Sequence, residues 1–177
     1  MLSGDVITDC SILYGILEEI PMKTATYRRT TFGKEGASML YGDNWKGFLK
    51  YDSQGNKVMR EKSSHPGRYN TKLKTEHPYL MDIFKEFRAL YFPDFDFNQV
   101  QINRNFSMKK HLDSKNLGKS YLVSFGDYIG GQTRVYRDND YVDLDSNCNP
   151  VTFNGSKYYH EVLPFTGTRY SLVFYYQ

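Results

Sequence analysis

Two short stretches of the sequence carry side chains that can bind a metal ion. The first is His111-Leu112-Asp113, and the second contains His160. Two histidines and one carboxylate form a facial triad, which suits Fe(II) and leaves three coordination positions open. Because side chains alternate faces along a strand, His111 and Asp113 share a face if their segment is extended. The spacing therefore predicts an iron site at His111, Asp113 and His160.

An arginine and a serine follow the second histidine at a spacing that suits a negatively charged co-substrate. Arg169 lies nine residues after His160, and Ser171 shares a face with Arg169 on an extended strand. A five-carbon diacid could chelate the metal at one end and meet the guanidinium at the other. Asn103 lies on an earlier predicted strand and could donate to the diacid's metal-proximal carboxylate. A polar residue facing water on an edge strand would explain Asn103 equally well.

Turn residues between these two groups predict how they meet. Pro164 and Gly167 separate two stretches of β-forming residues, 158–163 and 169–176. We expect the two stretches to pair as neighbouring antiparallel strands of one hairpin. The second histidine and the arginine would then lie opposite each other across that hairpin.

Hydrophobic periodicity predicts the elements that must position these residues. Helical spacing covers 11–20 and 76–90. Short β-forming stretches separated by Gly, Asn and Asp turns predict strands at 98–105, 120–125, 131–136, 140–144, 150–153, 158–163 and 169–176. Such a series indicates a barrel or jelly roll. We therefore predict a mainly β fold, a double-stranded β-helix (a cupin-like jelly roll) with a few flanking N-terminal helices.

The length of 177 residues predicts one domain, 1–177. Within it we expect 1–97 to form helices and loops that face the substrate, and 98–177 to form the jelly-roll core with the metal site. No apolar run approaches the length of a membrane span, and the first residues resemble neither a signal peptide nor a transit peptide. Two isolated cysteines do not suggest a disulfide framework. We expect a cytoplasmic monomer in a reducing compartment.

Positive charge is concentrated in residues 22–75, which carry twelve Lys or Arg against four Asp or Glu. Such a segment suggests a polyanionic partner, although a solvated lysine-rich surface is the commoner cause of this bias. Arg28 and Arg29 could contact phosphates, which supply most of the affinity for nucleic acid. As plain surface charges the two arginines would also be unremarkable.

The metal and arginine motifs together resemble a known family, the Fe(II)/2-oxoglutarate-dependent dioxygenases, over residues 98–177. Finer detail is similar to the TET/JBP branch, whose members oxidise the methyl group of 5-methylcytosine or thymine. The strings that carry this resemblance are HLDSKN at 111–116, SFGDYIGG at 124–131 and PFTGTRYSLV at 164–173. The chain has too few cysteines for the zinc module of animal TET enzymes. The N-terminal third carries no matching signature.

The resemblance implies cofactors, partners and roles for particular residues. It implies Fe(II) on the triad, 2-oxoglutarate with its distal carboxylate on Arg169 and Ser171, and O2. It also implies DNA or RNA as substrate, with Asn116 in the position that touches the target base in that branch. The string GGQT at 130–133 is similar to prolyl hydroxylases, whose collagen-type members usually carry lysine where Arg169 stands.

Three functions remain open from the sequence. The first is a nucleobase hydroxylase, and the second is an oxygenase of a protein side chain or a small metabolite, for which the same active site would serve. The third is a binding module without catalysis. It is disfavoured because every ligand and the arginine are present.

Overall fold

The structure is a computed structural model of the chain. It describes residues 1–22, 31–32, 36–46, 49–51, 53–54, 57–59 and 67–177. The three helices are α1 (Val6–Glu18), α2 (Lys72–Glu76) and α3 (Leu80–Tyr91). The strands are β1 (Thr31–Phe32), β2 (Ala37–Lys46), β3 (Leu49–Tyr51), β4 (Lys57–Met59), β5 (Gly67–Asn70), β6 (Gln99–Arg104), β7 (Ser107–Met108), β8 (Ser120–Gly130), β9 (Thr133–Arg137), β10 (Asp140–Leu144), β11 (Val151–Phe153), β12 (His160–Val162) and β13 (Phe165–Tyr175).

Both predicted helices are present with shifted boundaries. Helix α1 begins before the predicted 11–20 because the Asp5 side chain accepts a hydrogen bond from Thr8 N at 2.8 Å and caps the helix there. The predicted helix 76–90 corresponds to α3, which begins later, at Leu80, and the short helix α2 ends before it at Glu76. A residue that precedes a proline disfavours the helical conformation, and His77, which precedes Pro78, has φ −129° and ψ 62°. Within the described residues, no helix is both long and apolar enough to cross a membrane.

The strands form two main antiparallel sheets. The large sheet has the order β11-β8-β13-β6-β2-β5, and the small sheet has the order β10-β9-β12. An isolated bridge between His111 and His160 extends the small sheet by one segment. Strands β2 and β5 show that residues before 98 also contribute to the large sheet. The predicted mainly β, jelly-roll architecture with flanking helices is confirmed.

The predicted hairpin between 158–163 and 169–176 is wrong. Strand β12 pairs with β9 in the small sheet, whereas β13 pairs with β8 and β6 in the large sheet. The chain crosses between the sheets at Pro164, whose carbonyl accepts a hydrogen bond from Gly131 N at 3.1 Å. Gly and Pro are typical of tight turns and of crossings alike, so the turn residues did not distinguish the two. His160 and Arg169 therefore approach each other from different sheets.

Alternation along β13 separates the core from the functional cavity. Tyr170, Leu172 and Phe174 are buried in the main hydrophobic core, which also contains buried residues of α1 and α3. The residues between them, Arg169, Ser171, Val173 and Tyr175, line a cavity on the opposite face of the sheet. The helices thus cover one face of the large sheet and leave the other for the site. The predicted shared face of Arg169 and Ser171 is confirmed.

Asp9 of α1 is a buried carboxylate that ties the N-terminus to α3. It accepts hydrogen bonds from Ser3 N at 2.6 Å, from Gly4 N at 3.1 Å and from the Tyr91 hydroxyl. We expect Asp9→Ala to lower the free energy of unfolding by about 2–3 kcal/mol, because it leaves these donors without their charged acceptor. Urea denaturation followed by circular dichroism measures the loss. Exposed Asp94→Ala is the control and should change stability by less than about 0.5 kcal/mol. Equal stabilities of the two variants would contradict this role of Asp9.

Candidate metal and co-substrate site

His111, Asp113 and His160 converge on one point at the small sheet. One potential ligand atom from each residue lies within 4.8 Å of the others. Asp113 Oδ1 lies 3.5 Å from His111 Nε2, and Asp113 Oδ2 lies 3.4 Å from His160 Nε2. The two histidines are fixed by a reciprocal pair of backbone hydrogen bonds, at 2.9 and 3.0 Å. Backbone pairing thus brings His160 to His111 and Asp113, which lie about fifty residues earlier in the sequence.

Backbone carbonyls set the tautomer of both histidines. His111 Nδ1 lies 2.7 Å from Lys109 O, and His160 Nδ1 lies 3.1 Å from Tyr158 O. A carbonyl oxygen can only accept, so each Nδ1 must carry the proton. Each Nε2 then directs its lone pair toward the carboxylate and the space between the three residues. This arrangement is typical of histidines that bind a metal through Nε2.

Asp113 is held from both its backbone and its side chain. Its N–H donates to Gly155 O at 2.9 Å. Burial raises the pKa of Asp113, but when Nε2 of His111 and of His160 also carries a proton, the hydrogen bonds and positive charge of the two rings outweigh burial and hold the pKa of Asp113 well below its usual value. Gly155 leaves room for these side chains, because an added Cβ would lie 3.1 Å from His160 Cε1 and 3.2 Å from Asp113 Oδ2 and would require them to shift slightly.

Arg169 presents a buried guanidinium to the same cavity. The residue is only 2% exposed, and within the described part of the chain its Nε and Nη2 have no hydrogen-bond partner. Burial lowers the pKa of Arg169, which is the expected response of a cation removed from water. Gly131, at φ +74°, gives the side chain room, because a Cβ there would lie 3.0 Å from Arg169 Nε. A buried guanidinium with two unpartnered nitrogens beside a cavity fits a carboxylate ligand.

The cavity between the two sheets has a volume of about 120 Å³. The three potential metal ligands, Thr133 and Val162 line it from one side, and Asn103, Arg169, Ser171 and Val173 line it from the other. Drug-sized ligands typically occupy about 300–1,000 Å³. The cavity therefore suits a metal ion and a small acid, and most of a larger substrate would lie outside it.

Comparisons with known proteins identify the fold. No protein-family model and no curated protein matches the sequence. Among solved structures, an oxidoreductase of the 2OG-Fe(II) (2-oxoglutarate and iron) oxygenase family from Burkholderia pseudomallei superposes with a TM-score of 0.57 at 14% identity, over 93% of this chain and 76% of that one. A prolyl-4-hydroxylase from Pseudomonas putida gives a TM-score of 0.53 at 15% identity, over 98% of this chain and 87% of that one. The chain has the 2OG-Fe(II) oxygenase fold.

A third solved structure with this oxygenase fold is a complex with nucleic acid. NgTET1 in complex with 5mC DNA superposes with a TM-score of 0.56 at 14% identity, over 95% of this chain and 67% of that one. The resemblance read from the sequence to both TET and prolyl hydroxylase proteins is thus reproduced at the level of fold. At these identities the comparisons show the fold alone.

On the large sheet of the oxygenase fold, Asn103 and Ser171 place polar groups on the cavity wall next to Arg169. They are cross-strand partners, and Asn103 Nδ2 donates to Ser171 Oγ at 3.2 Å. The hydroxyl of Ser38 on β2 donates to Asn103 Oδ1 at 2.7 Å, which turns the amide donor toward Ser171. Asn103 therefore faces the cavity and not bulk water, which was the alternative that the sequence left open.

Arg169 is supported from behind by a chain of hydroxyl groups that the sequence did not reveal. The Tyr128 hydroxyl lies within hydrogen-bonding reach of the guanidinium. Tyr128 Oη is 2.8 Å from Ser124 Oγ, which is 2.6 Å from Ser146 Oγ. Because Tyr128 does not line the cavity, we place it behind the arginine as a support. Its position on β8, beside β13, could be inferred only once the strand order is known.

The remaining predicted residues differ in how far the structure places them. Asn116 lines the cavity, and its backbone N–H donates to Asp113 O at 2.9 Å, which holds it beside the triad. Arg28 and Arg29 lie outside the described residues. Thr133 was missed as a site residue, although it lies within the GGQT string. Its buried Oγ1 faces the same cavity and, within the described part of the chain, has no hydrogen-bond partner.

Proposed function

We propose that the chain is an Fe(II)- and 2-oxoglutarate-dependent dioxygenase that hydroxylates a C–H bond. The observation that carries this proposal is one cavity lined both by a complete facial triad and by a buried guanidinium, two of whose nitrogens have no hydrogen-bond partner among the described residues. A metal and a dicarboxylic co-substrate would satisfy both features at once. We propose that the chain acts as a single oxygenase domain, 1–177, and as a monomer.

Each residue of the cavity would have a defined task. His111, Asp113 and His160 would hold Fe(II), which supplies the activation of O2 when bound. Arg169 and Ser171 would bind the distal carboxylate of 2-oxoglutarate, with Asn103 beside them on the same cavity wall. Because Arg169 is buried, its pairing with a carboxylate would be stronger than the same pairing in water.

As substrate we propose the methyl group of a pyrimidine in DNA or RNA, either 5-methylcytosine or thymine. Asn116 supports this proposal, because it lies at the triad and offers an amide that can pair with the edge of a base. The basic segment 22–75, with Arg28 and Arg29, supports a phosphate backbone as partner. The likeness in fold to NgTET1, which was solved with 5mC DNA, agrees with it.

The alternative is a hydroxylase of a protein side chain, similar to prolyl hydroxylases, or of a small metabolite. The likeness in fold to the Pseudomonas putida prolyl-4-hydroxylase favours this alternative. The deciding experiment loads the protein with Fe(II) without oxygen, then adds 2-oxoglutarate, O2 and methylated DNA, and analyses the nucleosides by mass spectrometry. Hydroxymethylated pyrimidine supports the proposal. Unchanged nucleosides together with turnover on a peptide or a free metabolite would establish the alternative.

Thr133 is expected to contribute to the affinity for 2-oxoglutarate. If a bound carboxylate accepts a hydrogen bond from its unpartnered hydroxyl, Thr133→Val should weaken 2-oxoglutarate binding about tenfold or more, since a hydrogen bond to a charged group contributes about 1.5–3 kcal/mol. Calorimetry in the presence of Mn(II), which does not turn over, measures this affinity. Thr166→Val, at an exposed position of β13, is the matched control. If Thr133→Val binds 2-oxoglutarate as tightly as wild type, Thr133 does not contact the bound co-substrate.

A further inference from the structure

A row of polar side chains crosses three neighbouring strands of the large sheet. Ser38 on β2 is the cross-strand partner of Asn103 on β6, and Asn103 is in turn the partner of Ser171 on β13. Residues directly opposite each other in antiparallel strands point to the same face of the sheet. Asn103 and Ser171 line the cavity, whereas Ser38 does not. The row therefore leads from outside the cavity to the Ser171 hydroxyl beside Arg169.

Hydrogen bonds run through this row in one direction. Gln101 Nε2 donates to Ser38 Oγ at 2.8 Å, and the Ser38 hydroxyl donates to Asn103 Oδ1 at 2.7 Å. Asn103 Nδ2 then donates to Ser171 Oγ at 3.2 Å. A side-chain amide has one acceptor oxygen and one donor nitrogen, so an oxygen that faces Ser38 leaves the nitrogen for Ser171. Ser38 therefore determines which end of the Asn103 amide meets Ser171.

This direction leaves the proton of the Ser171 hydroxyl for the cavity. Because Ser171 Oγ accepts from the Asn103 nitrogen, its own proton must point elsewhere. Among the described residues the hydroxyl has no second hydrogen bond. Ser171 is only 3% exposed and lines the same cavity as Arg169. A buried hydroxyl with a free proton suits a carboxylate, which can only accept hydrogen bonds.

The opposite orientation of the Asn103 amide would reverse this arrangement. Asn103 Oδ1 would then face Ser171 and accept its proton. The Ser171 hydroxyl would present only lone pairs to the cavity and would disfavour the carboxylate that Arg169 attracts. The orientation of one amide thus decides whether Ser171 acts with Arg169 or against it.

We propose that Ser38 is a positioning residue for the acidic co-substrate. It holds the Asn103 amide so that Ser171 donates to the distal carboxylate of 2-oxoglutarate together with Arg169. This inference rests on the proposed function and extends the site to β2, in the N-terminal third that carries no matching sequence signature. Ser38 acts through Asn103 and does not itself touch the acid.

Calorimetric titration with 2-oxoglutarate in the presence of Mn(II) tests this role. Ser38→Ala should weaken the binding of 2-oxoglutarate about fivefold, or about 1 kcal/mol, because the Asn103 amide loses the donor that orients it. The affinity for Mn(II) should be unchanged, since the triad lies outside the large sheet. Ser38→Thr keeps the hydroxyl and should bind 2-oxoglutarate like wild type. The control Ser11→Ala, which removes an exposed hydroxyl from α1, should also bind like wild type.

A double-mutant cycle separates this role from a general weakening of the fold. Ser38 and Ser171 lie on the two strands that flank β6 and do not pair with each other. Without the amide between them, their substitutions would act independently. Ser171→Ala should weaken the binding of 2-oxoglutarate about tenfold or more. In that background Ser38→Ala should weaken binding by less than about twofold. An equal loss from Ser38→Ala in both backgrounds would overturn the inference.

The outcomes separate this inference from the proposed function. If wild type binds 2-oxoglutarate, Arg169→Met loses that binding and Ser38→Ala keeps it, the proposed co-substrate stands and the role of Ser38 is wrong. If wild type loaded with Mn(II) binds no 2-oxoglutarate, both are wrong. A loss in Ser38→Thr equal to that in Ser38→Ala would overturn the assignment of the Ser38 hydroxyl as the orienting donor.

Discussion

Asp113→Ala is expected to abolish turnover while leaving the fold intact. The carboxylate supplies one of three predicted metal ligands and is the link between the Nε2 atoms of His111 and His160. Two histidines alone do not make a facial triad, so we expect iron to bind far more weakly and succinate formation from 2-oxoglutarate to fall to background. Activity and stoichiometric iron binding are measured on the same preparation.

The matched control for this variant is Asp127→Ala, which removes an exposed carboxylate from β8 outside the cavity. It should retain wild-type iron binding and turnover. The circular dichroism spectrum of Asp113→Ala should match that of wild type. The Asp113 side chain is one-third exposed, and its removal buries no new charge. Normal 2-oxoglutarate decarboxylation by Asp113→Ala would show that the triad is assigned wrongly.

Arg169→Met is expected to weaken the binding of 2-oxoglutarate by about 100-fold or more, while the affinity for iron stays within a few fold of the wild-type value. The guanidinium would meet the distal carboxylate of the acid and not the metal, and loss of one partner of a buried charge pair costs about 2–5 kcal/mol. Lysine at this position should restore only part of the affinity, since an ammonium cannot reproduce the planar fork. Calorimetric titration with Mn(II), and then with 2-oxoglutarate, separates the two affinities.

The same substitution should stabilise the ligand-free protein. Two nitrogens of the buried guanidinium have no partner among the described residues, and an uncompensated buried charge is unfavourable. We expect Arg169→Met to raise the free energy of unfolding by about 1 kcal/mol or more. Wild type should instead gain stability when 2-oxoglutarate is added. Equal affinity for 2-oxoglutarate in wild type and Arg169→Met would exclude Arg169 from the site.

The periodicity of side chains made several parts of the site predictable from sequence. The two-residue spacing placed Arg169 and Ser171 on one face of β13, and the structure has them on the cavity face. The same alternation let the short β-forming stretches after residue 98 predict strands, from which the jelly roll followed. These inferences succeeded because each depends on neighbours in the sequence.

The parts that were missed depend on contacts between distant residues. From the sequence we predicted that β12 pairs with β13. This was wrong because turn residues do not reveal that the chain crosses between two sheets at Pro164. Tyr128 and Thr133 became recognisable only through the pairing that brings them to Arg169 and to the cavity. A tyrosine on a strand and a buried threonine have no local sequence signal that distinguishes them from ordinary core residues.

A structure of the protein with Mn(II) in place of Fe(II) and with 2-oxoglutarate tests the central claim most directly, because it does not depend on knowing the substrate. We predict one metal ion coordinated by His111 Nε2, Asp113 and His160 Nε2. The distal carboxylate of 2-oxoglutarate should accept hydrogen bonds from Nε and Nη2 of Arg169, the two nitrogens that have no partner among the described residues. A metal bound elsewhere, or an acid that leaves Arg169 unpaired, would contradict the account.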